Sequence, residues 1–191
     1  MRLAFWLALV LGAPLAAQVV PVTIETEMGN IEVEIDTVSA PVTGLNFLKY
    51  VDAKLYDGGY FHRTVRTRPD NQPQSELKID VVQGTMNPEK TKKAFKAIPL
   101  ERTRDTGLKH KNGTISMARD EPDTATYDFF ICIGDQPSLD FGGLRNPDGQ
   151  GFAAFGRVVE GMGVIRDIQQ SKADGQKLTP PIKILRVYRA K

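Results

Sequence analysis

Cysteine and histidine are scarce in this 191-residue chain, which has one of the first and two of the second. A single cysteine excludes an internal disulfide framework. Cys132 lies in the run Phe129-Phe130-Ile131-Cys132-Ile133, where it reads as a small buried hydrophobe. The two histidines, His62 and His110, have no carboxylates at ligand spacing, so neither a zinc site nor any other metal or cofactor is expected. His110 sits in Lys109-His110-Lys111 and reads as a solvated approach to the next strand. Nucleophile elbows of the Gly-x-Ser-x-Gly type are missing. The stretch Asn146-Pro147-Asp148-Gly149-Gln150-Gly151 lacks both a Gly-Lys-Ser/Thr ending and a terminal Glu, so it reads as a turn-rich loop and not a phosphate or calcium loop. Charge of one sign is missing too. With 25 Lys and Arg against 23 Asp and Glu, the net charge is +2, and nothing suggests nucleic acid as a partner.

Long apolar runs are absent apart from Leu3 to Leu11, which follows a single positive charge, Arg2, and precedes Gly12, Pro14, Ala16 and Ala17. That pattern is a signal peptide, residues 1–17, with cleavage expected after Ala17 and no insertion in a membrane afterwards. No cysteine follows the run to carry a lipid anchor. The expected destination is export, to the periplasm of a Gram-negative host and otherwise to the medium. Residues 18–191 are then one domain, with 41% apolar residues in the whole chain to supply one core. A monomer is expected.

What is present is mostly strand. Val22 to Glu27 and Ile31 to Asp36 alternate apolar and polar residues around Met28-Gly29-Asn30, which predicts a hairpin. Glu32, Glu34 and Asp36 mark its solvent face. Ser39-Ala40-Pro41 opens a helix with the stripe Val42, Leu45, Phe47, Leu48 and Val51. Further strands are predicted at Tyr60 to Val65, Lys78 to Gln83, Gly113 to Ala118, Tyr127 to Ile133, Phe152 to Val159 and Ile182 to Arg189, with a second helix at Met162 to Gln170. Arg66 to Leu77 and Asp135 to Gly151 read as long surface loops.

Several short segments stand in a telling order: Phe61-His62-Arg63, Val81-Val82-Gln83-Gly84, Gly113-Thr114-Ile115-Ser116-Met117-Ala118, Phe129-Phe130-Ile131, and Phe155-Gly156-Arg157-Val158 before Gly161-Met162. In order and spacing they resemble the cyclophilin family of peptidyl-prolyl cis-trans isomerases, as does Ala40-Pro41 followed by Asn46-Phe47. The resemblance implies a mainly β fold, an eight-stranded antiparallel barrel capped by two α-helices, with a groove on the outer face of the sheet. It also implies an isomerase acting on proline-containing polypeptides. Arg63 and Gln83 would be the catalytic pair, with Phe61, Val81, Ala118, Arg119, Asp128, Phe130, Leu139 and Phe152 contacting the substrate. Side chains two apart on a strand share a face. On that rule Phe61 points with Arg63, Val81 with Gln83 and Asp128 with Phe130, while His62, Val82, Phe129 and Ile131 face inward, His62 as a hydrogen-bonded core histidine.

The chemistry implied is simple. Amide resonance opposes rotation by ~18–20 kcal/mol, and in the twisted state the prolyl nitrogen regains a lone pair. A donor aimed at that nitrogen binds the twisted state better than either planar one. The Arg63 guanidinium is always protonated and donates without covalent chemistry.

The chain departs from the family pattern at groove positions. Asp128 stands where Gln is common, Arg119 where Asn is usual, Phe152 in place of His, Ser138 in place of an aromatic, and Asp80-Val81 in place of an aromatic-Met pair. Asp128 is expected to pair with Arg63 and either orient it or divert it. Arg66, Arg68 and Asp70 either extend the groove to longer peptides or lie in a solvated loop. A second function remains open at this point: a weakly active or inactive cyclophilin-fold module that holds proline-containing segments as a chaperone.

Overall fold

A computed structural model describes residues 18–190. The expected leader and its cleavage bond after Ala17 lie outside the described residues. The chain opens with the hairpin β1 (Val19–Thr26) and β2 (Gly29–Asp36), followed by α1 (Pro41–Asp52), β3 (Tyr60–Val65) and β4 (Val81–Thr85). A short helical turn α2 (Thr103–Thr106) precedes β5 (Thr114–Met117), β6 (Phe129–Cys132) and β7 (Ala153–Glu160). Last come α3 (Met162–Gln170), a two-residue β8 (Ala173–Asp174) and the long β9 (Lys177–Arg189).

The strands follow the order β1-β2-β7-β5-β6-β4-β3-β9, and β9 pairs back onto β1, which closes an eight-stranded antiparallel barrel. Closure leaves no open sheet edge; β8 only extends the start of β9. The interior is filled by one residue in two from each strand, among them Val22, Ile24, Ile31, Ile35, Val82, Ile115, Phe129, Ile131 and Phe155. Gly84 lets the Phe129 ring lie against β4, since a Cβ there would stand 2.7 Å from its Cζ. The described helices are all too short or too polar to cross a membrane.

The helix α1 starts on Pro41, whose fixed φ and missing N–H suit a first turn. Its exposed backbone donors are met from afar: Glu101 accepts from Val42 at 3.0 Å and Thr43 at 2.7 Å, placing a carboxylate on the positive end of the helix. The predicted stripe is half right. Phe47, Leu48 and Val51 are buried, but Val42 and Leu45 face solvent. Gly44 is the reason. It lies so close to the Asp36 carbonyl, 3.1 Å from where a Cβ would be, that the helix rolls onto β2 through its Gly44 face.

Strand β4 begins at Val81, three residues later than the alternation of Lys78 to Gln83 predicts. The Ile79 backbone is taken by a side chain instead: its N–H donates to Gln72 Oε1 at 3.0 Å and its carbonyl accepts from Gln72 Nε2 at 2.7 Å. An amide from the 66–77 loop thus copies a strand neighbour. The loop is accordingly built, not loose.

Candidate active site

Strand β3 carries an irregularity that sets up the site. Opposite β4, Phe61 pairs with Gly84 and Arg63 with Gln83, so two steps on β3 match one on β4, and His62 is the extra residue of a β-bulge. Past a bulge the strict alternation of faces fails. Phe61 therefore points inward with no exposed surface, its ring edge-on to Phe129 at 5.8 Å between centroids. It does not contact the groove as expected. Arg63 does point outward, and His62, expected inside, is half-buried on the outer side, its Nδ1 without a hydrogen-bond partner among the described residues.

Arg63 is held by two glutamines. Its Nη1 donates to Gln83 Oε1 at 3.0 Å, while Nε and Nη2 both donate to Gln176 Oε1, at 2.9 and 2.7 Å. Gln176 is in turn oriented by its own Nε2, which donates to the Asn71 carbonyl at 3.1 Å. A guanidinium has five N–H groups, so three engaged donors leave one on each terminal nitrogen for a ligand. Burial first, and then the nearby Arg145 charge, draw the Arg63 pKa below its usual value.

Beside Arg63 lies a cavity of about 340 Å³ lined by Val81, Gln83, Ala118, Phe130, Leu139 and Phe152. Its apolar half is a second hydrophobic cluster on the outer face of the barrel, in which Val65, Ile79 and Cys132 also take part. Strand β6 makes it by simple alternation, with Phe129 and Ile131 inside, Phe130 and Cys132 outside. Burial pushes the Cys132 thiol far up, leaving it a packing group. Phe130 and Phe152 meet edge to face at 5.4 Å.

Behind Phe130 lies a residue the sequence reading misplaced. His110 is 1% exposed, and its ring stacks under Phe130 at 5.9 Å with 14° between planes. Its Nδ1 is 2.8 Å from Asp140 Oδ1 and its Nε2 2.9 Å from Ser116 Oγ. Burial raises the Asp140 carboxyl, but the His110 hydrogen bonds outweigh it and leave its pKa below the ordinary value. The neighbours Lys109 and Lys111 are exposed, and their charge hid the buried ring between them.

A fold with Arg63 over an apolar outer cavity invites comparison with known proteins. The family described as cyclophilin type peptidyl-prolyl cis-trans isomerase/CLD matches residues 21–189. The chain belongs to that family. Cyclophilin relatives include peptidyl-prolyl cis-trans isomerase A of Dickeya dadantii, 37% identical over 80% of this chain and 73% of its own length. Another is the isomerase cyp18 of Streptomyces antibioticus, 35% identical over 82% of this chain and 87% of its own. Among solved structures, a cyclophilin-type isomerase of Cryptosporidium parvum superposes with a TM-score of 0.72 at 21% identity, covering 91% of this chain and 99% of its own. The same protein was also solved in the presence of the dipeptide Ala-Pro.

Within this cyclophilin, Arg119 and Asp128 line the cavity as expected, but Asp128 does not pair with Arg63. Asp128 makes no hydrogen bond or ion pair with Arg63; Gln176 occupies that role. The Asp128 Oδ1 is buried without a partner among the described residues, and burial raises the pKa of the carboxyl. Arg119 binds Asp148 through two bonds of 2.7 and 3.0 Å and the Gly151 carbonyl through two more, so it fastens the 135–151 loop. Arg66, Arg68 and Asp70 do not line the cavity. Arg66 donates to the Gln169 carbonyl on α3, and Asp70 pairs with Lys78. The loop residues that do reach it are Arg145 and Asn146, with Asp120, Thr124 and Thr126 from the β5–β6 connection.

Proposed function

We propose that this cyclophilin isomerises X-Pro bonds by seating the pyrrolidine ring against Phe130, Val81, Leu139 and Phe152 while Arg63 donates to the prolyl nitrogen of the twisted state. The observation that carries the reading is the guanidinium fixed on two glutamines beside an apolar cavity with free N–H groups to spare. A donor preset in that geometry costs no reorganisation when the nitrogen pyramidalises. The apolar half of the cavity excludes water that would favour the planar carbonyl dipole. Gln83 contributes by holding Nη1. The clients are polypeptides leaving the cell, a reading supported by the apolar run Leu3 to Leu11 behind Arg2.

The test is the cis-to-trans rate of a short Ala-Pro peptide with the wild type and with Arg63→Ala. A charged hydrogen bond to the transition state is worth about 1.5–3 kcal/mol, so the variant should lose about 10- to 100-fold in kcat/KM. Equal rates would refute the role of Arg63 while leaving the activity standing, and a wild type that accelerates nothing would return the chain to the holding function. For export, the mature protein should begin at Gln18 by mass spectrometry of the cell exterior or periplasm.

A further inference from the structure

Arg63 and Asp128 form a partition, because each lines a second cavity as well as the first. This second cavity, about 570 Å³, is walled by Tyr60, His62, Tyr127, Leu178 and Pro181. It exists because of the bulge on β3. A regular strand would turn His62 inward, whereas here its ring stands edge-on to Tyr60 at 6.2 Å on the outer side. Two buried polar atoms of residues on this wall, Asp128 Oδ1 and His62 Nδ1, lack hydrogen-bond partners among the described residues. Native proteins rarely leave such atoms unmet without a ligand or water to serve them.

We propose that the second cavity is a specificity subsite, taking an aromatic side chain with a hydrogen-bond donor at its tip, tyrosine foremost, from a client residue one or two positions from the isomerising proline. The proposal rests on the isomerase reading of the groove. A chain laid with its proline against Phe130 passes over Arg63, and an extended peptide advances about 3.3 Å per residue with alternate side chains on opposite sides. A neighbouring side chain therefore falls beyond the partition. The aromatic walls favour a flat ring. Asp128 supplies an acceptor, while the positive charges of Arg63 and Lys177 disfavour a lysine or arginine in the same space.

The test uses Ala-Pro peptides of fixed length in which one residue at a time, within two positions of proline, is Gly, Leu, Phe or Tyr. Isomerisation is read by exchange NMR. At one position Phe and Tyr should exceed Gly by about 10- to 100-fold in kcat/KM, the worth of one buried ring, with Tyr above Phe by about 2- to 10-fold, the worth of one net hydrogen bond. Asp128→Leu should remove the preference for Tyr over Phe and keep that for Phe over Gly. In the wild type, the His62 ring resonances should shift on titration with the Tyr peptide and stay in place with the Gly peptide. Turnover of all peptides without discrimination, or a preference that leaves the His62 ring undisturbed, would overturn the subsite and spare the isomerase. Failure to accelerate any peptide would overturn the isomerase reading itself.

Discussion

Gln176 lies on a turn 113 residues after Arg63, yet its Oε1 receives two of the three hydrogen bonds that the guanidinium makes within the protein. Gln176→Ala removes both and leaves only the Nη1 bond to Gln83, about which the group can swing. Reordering one long side chain in the transition state costs about 0.5–1.5 kcal/mol, which is about 2- to 12-fold in rate. The loss should fall on kcat more than on KM, because in the proposed mechanism Arg63 acts on the twisted bond while the apolar cavity binds the ring in both states. Gln176→Glu keeps an acceptor for Nε and Nη2 and should recover most of the rate. The assay is steady-state isomerisation of an Ala-Pro peptide at several concentrations, with thermal melts to separate a folding defect. An alanine variant with wild-type kcat would refute the positioning role, and so would a glutamate variant as slow as alanine.

The remaining predictions concern the frame of the site. His110→Ala should destabilise the protein by about 1–3 kcal/mol, since it leaves the buried Ser116 hydroxyl without its partner, and it should raise KM by freeing Phe130; a melt and peptide kinetics check both. Asp128 has a folded-state pKa above its unfolded value because of burial, so its protonation favours the folded state, a stabilisation present below about pH 3.9 and lost as pH rises through the folded value. Asp128→Asn should therefore melt above the wild type at pH 7, and the gap should close on acidification past that unfolded value; a gap that widens in acid would contradict the assignment. Gly84→Ala should cost about 1–3 kcal/mol by pressing a methyl group on Phe129, read as a lower denaturant midpoint.

Much of this cyclophilin is legible along the chain. Tyr60–Val65 and Met162–Gln170 form the elements that their patterns predict, since both are bounded by local signals, Gly58-Gly59 before the strand and Gly161 before the helix. The groove positions Arg63, Val81, Gln83, Ala118, Arg119, Asp128, Phe130, Leu139 and Phe152 all line one cavity, as the family resemblance implied, and for Val81, Gln83 and Phe130 the regular alternation on β4 and β6 is the reason. Phe61 and His62 exchange their expected faces because a bulge depends on how β3 meets β4, and nothing in Phe-His-Arg itself encodes a register.

What the sequence determined by itself, then, is the barrel, the outward Arg63 and its apolar neighbours, for these follow from local periodicity and short motifs. The tertiary structure alone decided which groups hold Arg63, what lies beneath Phe130 and which side His62 faces. Gln176 and His110 reach the site from loops remote in sequence, and contacts across such distances leave no period to read. A polar side chain in a loop looks the same along the chain whether it meets water or the Arg63 guanidinium; only the closed barrel brings the two together.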